Sequence, residues 1–291
     1  MNAPLAPSVL APQTSNCARC AVLPLCLAGE LSAEELTRFE AITWQRRIRR
    51  REHLCLGGGR FQSLFVIRSG TLKSSALRAD GREQIVGFHM LGDFIGVEGL
   101  STGMHTCDVL ALEDCELCSI SFQALERLAR ELPTLHRMIN IIMSRQIVWH
   151  YKVMMMLANM RSDERVLAFL LNLSRRHAAR GLSPDELSLP MTREDIGSYL
   201  GLKVETVSRV FSRLQGLGLI RVCRRHVRLL DRPAMQRKLP EVVGARLASA
   251  AGVDRANARH STHSADWGAN RCTDGPSRQI AHEHQYVTSV S

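Results

Sequence analysis

The stretch MTREDIGSYLGLKVETVSRVF, residues 191–211, constrains this chain more tightly than any other. Thr192 stands where a helix starts, and Asp195 three residues later can answer it in a reciprocal cap. Ile196 and Leu200 then share one helical face, and Gly201 permits a tight turn. In the next helix Val207, Val210, Phe211 and Leu214 form a buried stripe. Glu205, Ser208 and Arg209 are left facing outward at helical spacing. Two short helices joined at a glycine with a polar second helix read as a helix-turn-helix.

The outward residues are of the types that read base edges. Arginine can grip guanine with two hydrogen bonds, a carboxylate accepts from cytosine, and serine serves either role. Thr206 and Arg213 complete the candidate DNA-contacting set. Charge agrees: residues 190–240 hold eleven Lys or Arg against four acids, whereas the stretch from Glu241 onward holds five of each sign. The formal excess of +10 is thus concentrated where a phosphate backbone would lie. After the second helix, apolar alternation around Cys223-Arg224-Arg225 predicts a basic hairpin, suited to phosphate contacts. Double-stranded DNA is the expected partner.

Upstream the pattern changes. A short helix is expected from about Leu31 to Phe39, and then alternating segments at 63–68, 84–89 and 107–112 are bounded by Ser69-Gly70, Asp80-Gly81 and Leu91-Gly92-Asp93. Such spacing suggests a small antiparallel roll. Helices return at Phe122–Ala129, from Pro133 to about Leu157, and at Asp163–Arg180, the last stopped by Gly181. In the long helix Met143, Ile147, His150, Met154 and Leu157 recur at steps of four and three, the spacing of a coiled-coil seam. Further apolar residues around that helix exceed what one packing face needs, which favours a homodimer over a helix packed only on its own domain.

The chain has nine cysteines. Its start lacks the basic and apolar segments of a secretory signal, so a cytoplasmic location is expected, where thiols serve as ligands or redox centres. Cys17-x2-Cys20-x5-Cys26 supplies three thiolates, and a fourth ligand must come from elsewhere: Cys55, Cys107, Cys115, Cys118 or Cys223. Alternation puts Cys118 on the face of Ile120 and Phe122, pointing inward against the roll, and turns Cys115 the other way. Spacing alone leaves zinc and an iron-sulfur cluster equally open, with thiol redox sensing a third reading. No thioredoxin-like alternation follows the Cys17-x2-Cys20 pair. No Ser/His/Asp, Gly-rich phosphate or paired-carboxylate arrangement suggests an enzyme, and no apolar run is long enough to span a membrane.

Taken together, Cys17-x2-Cys20-x5-Cys26, Gly87-Phe88-His89 before Gly92-Asp93, the segment LLNLSRR at 170–176 and VETVSR at 204–209 carry a family likeness. From about Asn16 to Leu239 the chain resembles the fumarate and nitrate reduction regulator (FNR) branch of the cyclic AMP receptor protein superfamily. The resemblance implies an α+β fold: a cyclic-nucleotide-binding-like β-roll, a long dimerisation helix and a winged helix-turn-helix. It implies a 4Fe-4S cluster on Cys17, Cys20, Cys26 and Cys118, oxygen control of dimerisation, TTGAT-type half-sites read by Glu205, Ser208 and Arg209, and recruitment of RNA polymerase. Where nucleotide-binding relatives place Arg-Ser on the phosphate, this chain has His105-Thr106. The corresponding division is residues 1–30, 31–132, 133–160, 161–240 and 241–291, the last expected to be disordered from about Asp254, with Cys272 incidental.

Overall fold

The structure, a computed structural model, describes residues 13–78 and 81–239. The expectations for the first residues and for the tail, Cys272 included, lie outside the described residues.

Among the described residues nine strands build the first half: β1 (Gln13–Thr14), β2 (Thr43–Ile48), β3 (His53–Cys55), β4 (Ser63–Ser69), β5 (Leu72–Leu77), β6 (Glu83–His89), β7 (Phe94–Ile95), β8 (Asp108–Ala111) and β9 (Cys115–Ser121). They form two antiparallel sheets, ordered β1-β2-β9-β4-β7 and β3-β8-β5-β6. Both sheets contribute to one apolar core containing Ile48, Leu54, Phe65, Ile67, Leu72, Val109, Cys115 and Leu117. This is the expected roll. Before it, α1 (Ala33–Glu40) starts at Ser32, whose hydroxyl and the Glu35 carboxylate exchange cap hydrogen bonds.

The opposite face of the first sheet is covered too. Leu64, Val66, Cys118 and Ile120 pack there against Phe39 of α1, against Leu125 and Leu128 of α2 (Phe122–Glu131), and against Leu135 and Met138 of α3 (Pro133–Asn159). Because β9 is buried on both sides, its residues divide between two cores. Cys115 and Leu117 point into the roll, whereas Cys118 and Ile120 point out of it, under the N-terminal loop. The alternation predicted from sequence holds, but the inward direction assigned to Cys118 needs correction: its thiol leaves the roll and faces the layer outside.

The second half consists of α4 (Ser162–Ala179), β10 (Glu186–Ser188), α5 (Arg193–Leu200), α6 (Val204–Gly216), β11 (Ile220–Cys223), β12 (His226–Leu229) and α7 (Arg232–Arg237). A three-stranded sheet, β10-β12-β11, forms the wing behind the helices. Thr192 and Asp195 make the reciprocal cap of α5, and Gly201 closes it with φ 64°, a left-handed conformation that suits glycine. The helix-turn-helix reading is therefore realised in detail.

Its core extends beyond the winged helix. Ile85, Phe88 and Met90, from β6 and the turn after it, lie in the same apolar cluster as Phe169, Tyr199 and Val207. Phe88 meets Tyr199 edge-on at 5.3 Å between centroids. Polar contacts reinforce the join: Ser198 Oγ accepts from Ile85 N at 2.9 Å, and Lys73 Nζ pairs with Asp195 at 3.0 Å. No described helix is long and apolar enough to cross a membrane.

Candidate metal centre and DNA-reading surface

The N-terminal cysteines sit in a chain of tight turns. Cys20 N donates to Cys17 O at 3.0 Å, Leu23 N to Cys20 O at 3.0 Å, and Cys26 N to Leu23 O at 3.0 Å across the 3-10 turn Leu23–Leu25. Each cysteine thus occupies a corner of a compact loop. The Glu40 carboxylate fastens that loop to α1 by accepting from Cys17 N at 2.5 Å and Ala18 N at 3.2 Å.

This folding brings Cys17, Cys20 and Cys26 to one cavity with Cys118 of β9; the remaining wall is Val22, Leu23, Phe39, Thr43, Val66, Arg68 and Ile120. The four predicted thiols are therefore gathered, from segments about a hundred residues apart in sequence. The space they enclose is small, about 20 Å³, room for about one water. Among the described residues no three His, Cys, Asp or Glu side chains converge as one metal ion would require. The thiols surround a space rather than a point.

Burial in this apolar wall disfavours bare thiolates. It pushes the Cys26 thiol up to about 12. Burial, with Cys118 alongside, pushes Cys17 up to about 11 against a lowering hydrogen bond from Thr43. Cys118 is raised by burial as well, partly opposed by Ser15 and Arg68. Such thiols stay protonated until a cation replaces the proton, and soft sulfur donors suit iron-sulfur clusters or zinc.

Cys55, Cys107 and Cys115 lie elsewhere: Cys115 points into the roll and donates toward Thr71 O at 3.6 Å, and Cys55 packs on that same inner core. His105 is also committed. Its Nδ1 lies 3.2 Å from Glu98 Oε1, and its ring meets Phe61 edge-on.

On the DNA-reading side, Glu205, Ser208 and Arg209 are exposed on α6, with Thr206 half-buried. Arg213 is exposed but pairs with Asp163 of α4 at 3.3 Å, so that candidate contact has a partner within the protein. In the wing, Arg224 takes φ 53° at the hairpin tip, and Arg221 and Arg225 are exposed beside it. Along α3, Met143, Ile147, His150 and Met154 are exposed, Ile147 by 52% and Met154 by 60%. Leu157 differs, being half-buried against the winged-helix core.

A connection that sequence reasoning missed lies between these regions. Gly92, at φ 81°, follows β6, and a side chain there would stand 2.7 Å from Leu25 of the cysteine loop. The next residue, Asp93, binds Arg180 at 2.7 Å and also pairs with Arg176; Arg176 lies in the last turn of α4 and Arg180 directly follows the helix. Arg176 further donates to Phe88 O at 3.2 Å. One turn thus touches the cysteine loop on one side and the DNA-binding half on the other. The signal in the sequence was a pair of arginines one helical turn apart, Arg176 and Arg180, at the end of the helix.

Comparison with known proteins agrees with this architecture. Residues 45–131 match the cyclic nucleotide-binding domain family, and residues 164–238 match the Crp-like helix-turn-helix domain family. The chain is 40% identical to the transcriptional activator protein Anr of Pseudomonas protegens, over 75% of this chain and 89% of that one. It is 37% identical to the fumarate and nitrate reduction regulatory protein of Escherichia coli K12, over 76% and 88%. The chain belongs to the FNR-type branch of the Crp/FNR family. The structure of FixK2 from Bradyrhizobium japonicum is similar to that of this FNR-type protein, with a TM-score of 0.63 and 28% identity, covering 68% of this chain and 98% of that one. The chain is accordingly a DNA-binding transcription regulator and not an enzyme.

Proposed function

We propose that this regulator is an oxygen-responsive switch that holds a 4Fe-4S cluster on Cys17, Cys20, Cys26 and Cys118, and binds TTGAT-type palindromic DNA as a homodimer when oxygen is absent. The single observation carrying this reading is the gathering of four thiols, and no other metal-binding side chain, around one cavity. Four soft sulfur donors suit an iron-sulfur cluster as well as zinc, and metal analysis separates the two. When bound, such a cluster supplies oxygen-labile iron-sulfide chemistry.

The chain's own residues then do the rest. Glu40 holds the start of the loop, and Leu25 near its end packs against Gly92, so a change in the loop would be felt at that turn. The Gly92-Asp93 turn carries that change to Arg176 and Arg180, and α4 packs directly on α6. Met143, Ile147, His150 and Met154, with Leu157 at the margin, give α3 an apolar seam for a second copy. Pairing there sets two α6 helices at the separation a palindrome requires. Glu205, Ser208 and Arg209 read bases, with Thr206 and Arg213 flanking them, while Arg224 grips phosphate. The reading places the regulator in the cytoplasm, acting through RNA polymerase. His105-Thr106, standing where nucleotide-binding relatives place Arg-Ser, argues against a cyclic nucleotide as the signal.

Protein purified without air should carry roughly four iron and four sulfide per chain, show a brown colour that air bleaches, and bind a TTGAT palindrome only before bleaching. Cys118→Ser should abolish retention. Stoichiometric zinc without iron, or equal DNA affinity in both conditions, would overturn the reading.

A further inference from the structure

Arg68 is the one charged side chain among the described residues that line the four-cysteine cavity. Its position follows from strand pairing. Val66 of β4 lies directly opposite Cys118 of β9, and Arg68 stands two residues further along the same strand, both lining the cavity. The surrounding wall is Val22, Leu23, Phe39, Val66 and Ile120, with Thr43 as its other polar member. Glu40 uses a carboxylate oxygen on the backbone N–H groups of Cys17 and Ala18. It fastens the loop and places a further negative charge beside Cys17, which adds to the need for a countercharge.

Four thiolates bring more negative charge than a 4Fe-4S core neutralises, so the loaded site is a net anion. Enclosing an anion in an apolar wall is costly unless a countercharge accompanies it. Building on the cluster reading above, we propose that Arg68 is the charge-compensating residue of the loaded site, holding the anionic centre in place and setting its electron affinity. A guanidinium fixed on β4 acts at one side of the site, beside Cys118. A positive charge there stabilises the more reduced, more negative state of the centre.

The test uses anaerobically loaded full-length protein: wild type, Arg68→Lys and Arg68→Gln. Each is followed for iron loss to a ferrous chelator without air, and for the midpoint potential of the bound centre. Arg68→Gln should lose iron on the order of tenfold faster, the scale of one nearby charge at a partly solvated site, and should have a lower potential. Arg68→Lys, which keeps the charge, should recover most of both effects even if the Gln variant folds poorly. Arg68→Gln behaving as wild type, or Arg68→Lys behaving as Gln, would overturn the proposal. Failure of the wild type to take up iron would instead overturn the cluster reading on which it rests.

Discussion

Asp93→Asn is the most searching perturbation of the link between the roll and the winged helix. The Asp93 side chain is 20% exposed, and its partners Arg176 and Arg180 are 19% and 10% exposed. One carboxylate oxygen also accepts from Met90 N at 2.8 Å. Asparagine keeps one acceptor oxygen but turns an NH2 toward donors, leaving at least one guanidinium without its counter-ion. Breaking a buried ion pair from one side costs about 3–5 kcal/mol. Here a fifth of the surface is wet and one acceptor survives, so about 2–3 kcal/mol is expected. Urea unfolding of the metal-free protein should show this as a lower midpoint. If the turn also transmits the state of the cysteine loop, the ratio of DNA affinities with and without air should shrink toward unity in the loaded variant. A stability change below about 0.5 kcal/mol would refute the energetic argument. A full stability loss with an unchanged affinity ratio would refute the transmission.

Arg209→Ala should cost about 1–3 kcal/mol in DNA binding and relax preference at one base pair in a sequence-selection assay; Arg224→Ala should weaken all sequences alike and flatten the salt dependence by about one unit of slope. Unchanged base preference in Arg209→Ala would remove that residue from the reading head. Asp195 gives a pH prediction. Burial raises its carboxyl, but hydrogen bonds from Thr192 and Lys73 outweigh that and hold it below its ordinary 3.8. A depressed folded value means its stabilisation is complete above about pH 3.8 and is lost as pH falls through the lower folded value. Asp195→Asn should therefore lessen the loss of stability in that acid window, seen by circular dichroism. An acid limb identical to wild type would contradict this.

Much of the molecule was legible because its determinants are local. The Thr192–Asp195 cap, the Gly201 turn and the stripe Val207, Val210, Phe211 and Leu214 depend on neighbours within a few residues. Each appears where its spacing demands. The same holds for the strands at 63–69, 83–89 and 108–111 and for the long helix from Pro133. The three clustered cysteines were equally visible, and alternation alone separated Cys118 from Cys115.

What sequence could not supply is what lies across from each element. A strand buried on both faces carries no label for inside or outside, so only the packing of α1, α2 and the N-terminal loop over the first sheet turned Cys118 out of the roll. Arg68 reaches the cavity through the pairing of Val66 with Cys118, a register set between strands about fifty residues apart in sequence. Asp93 meets Arg176 and Arg180 because β6 packs into the winged-helix core. Local sequence determined the helices, turns and thiol spacing, since those follow from φ, ψ and side-chain period. The tertiary structure decided which charges face which cavity, since ion pairs and cavity walls form between segments that chain distance leaves unrelated.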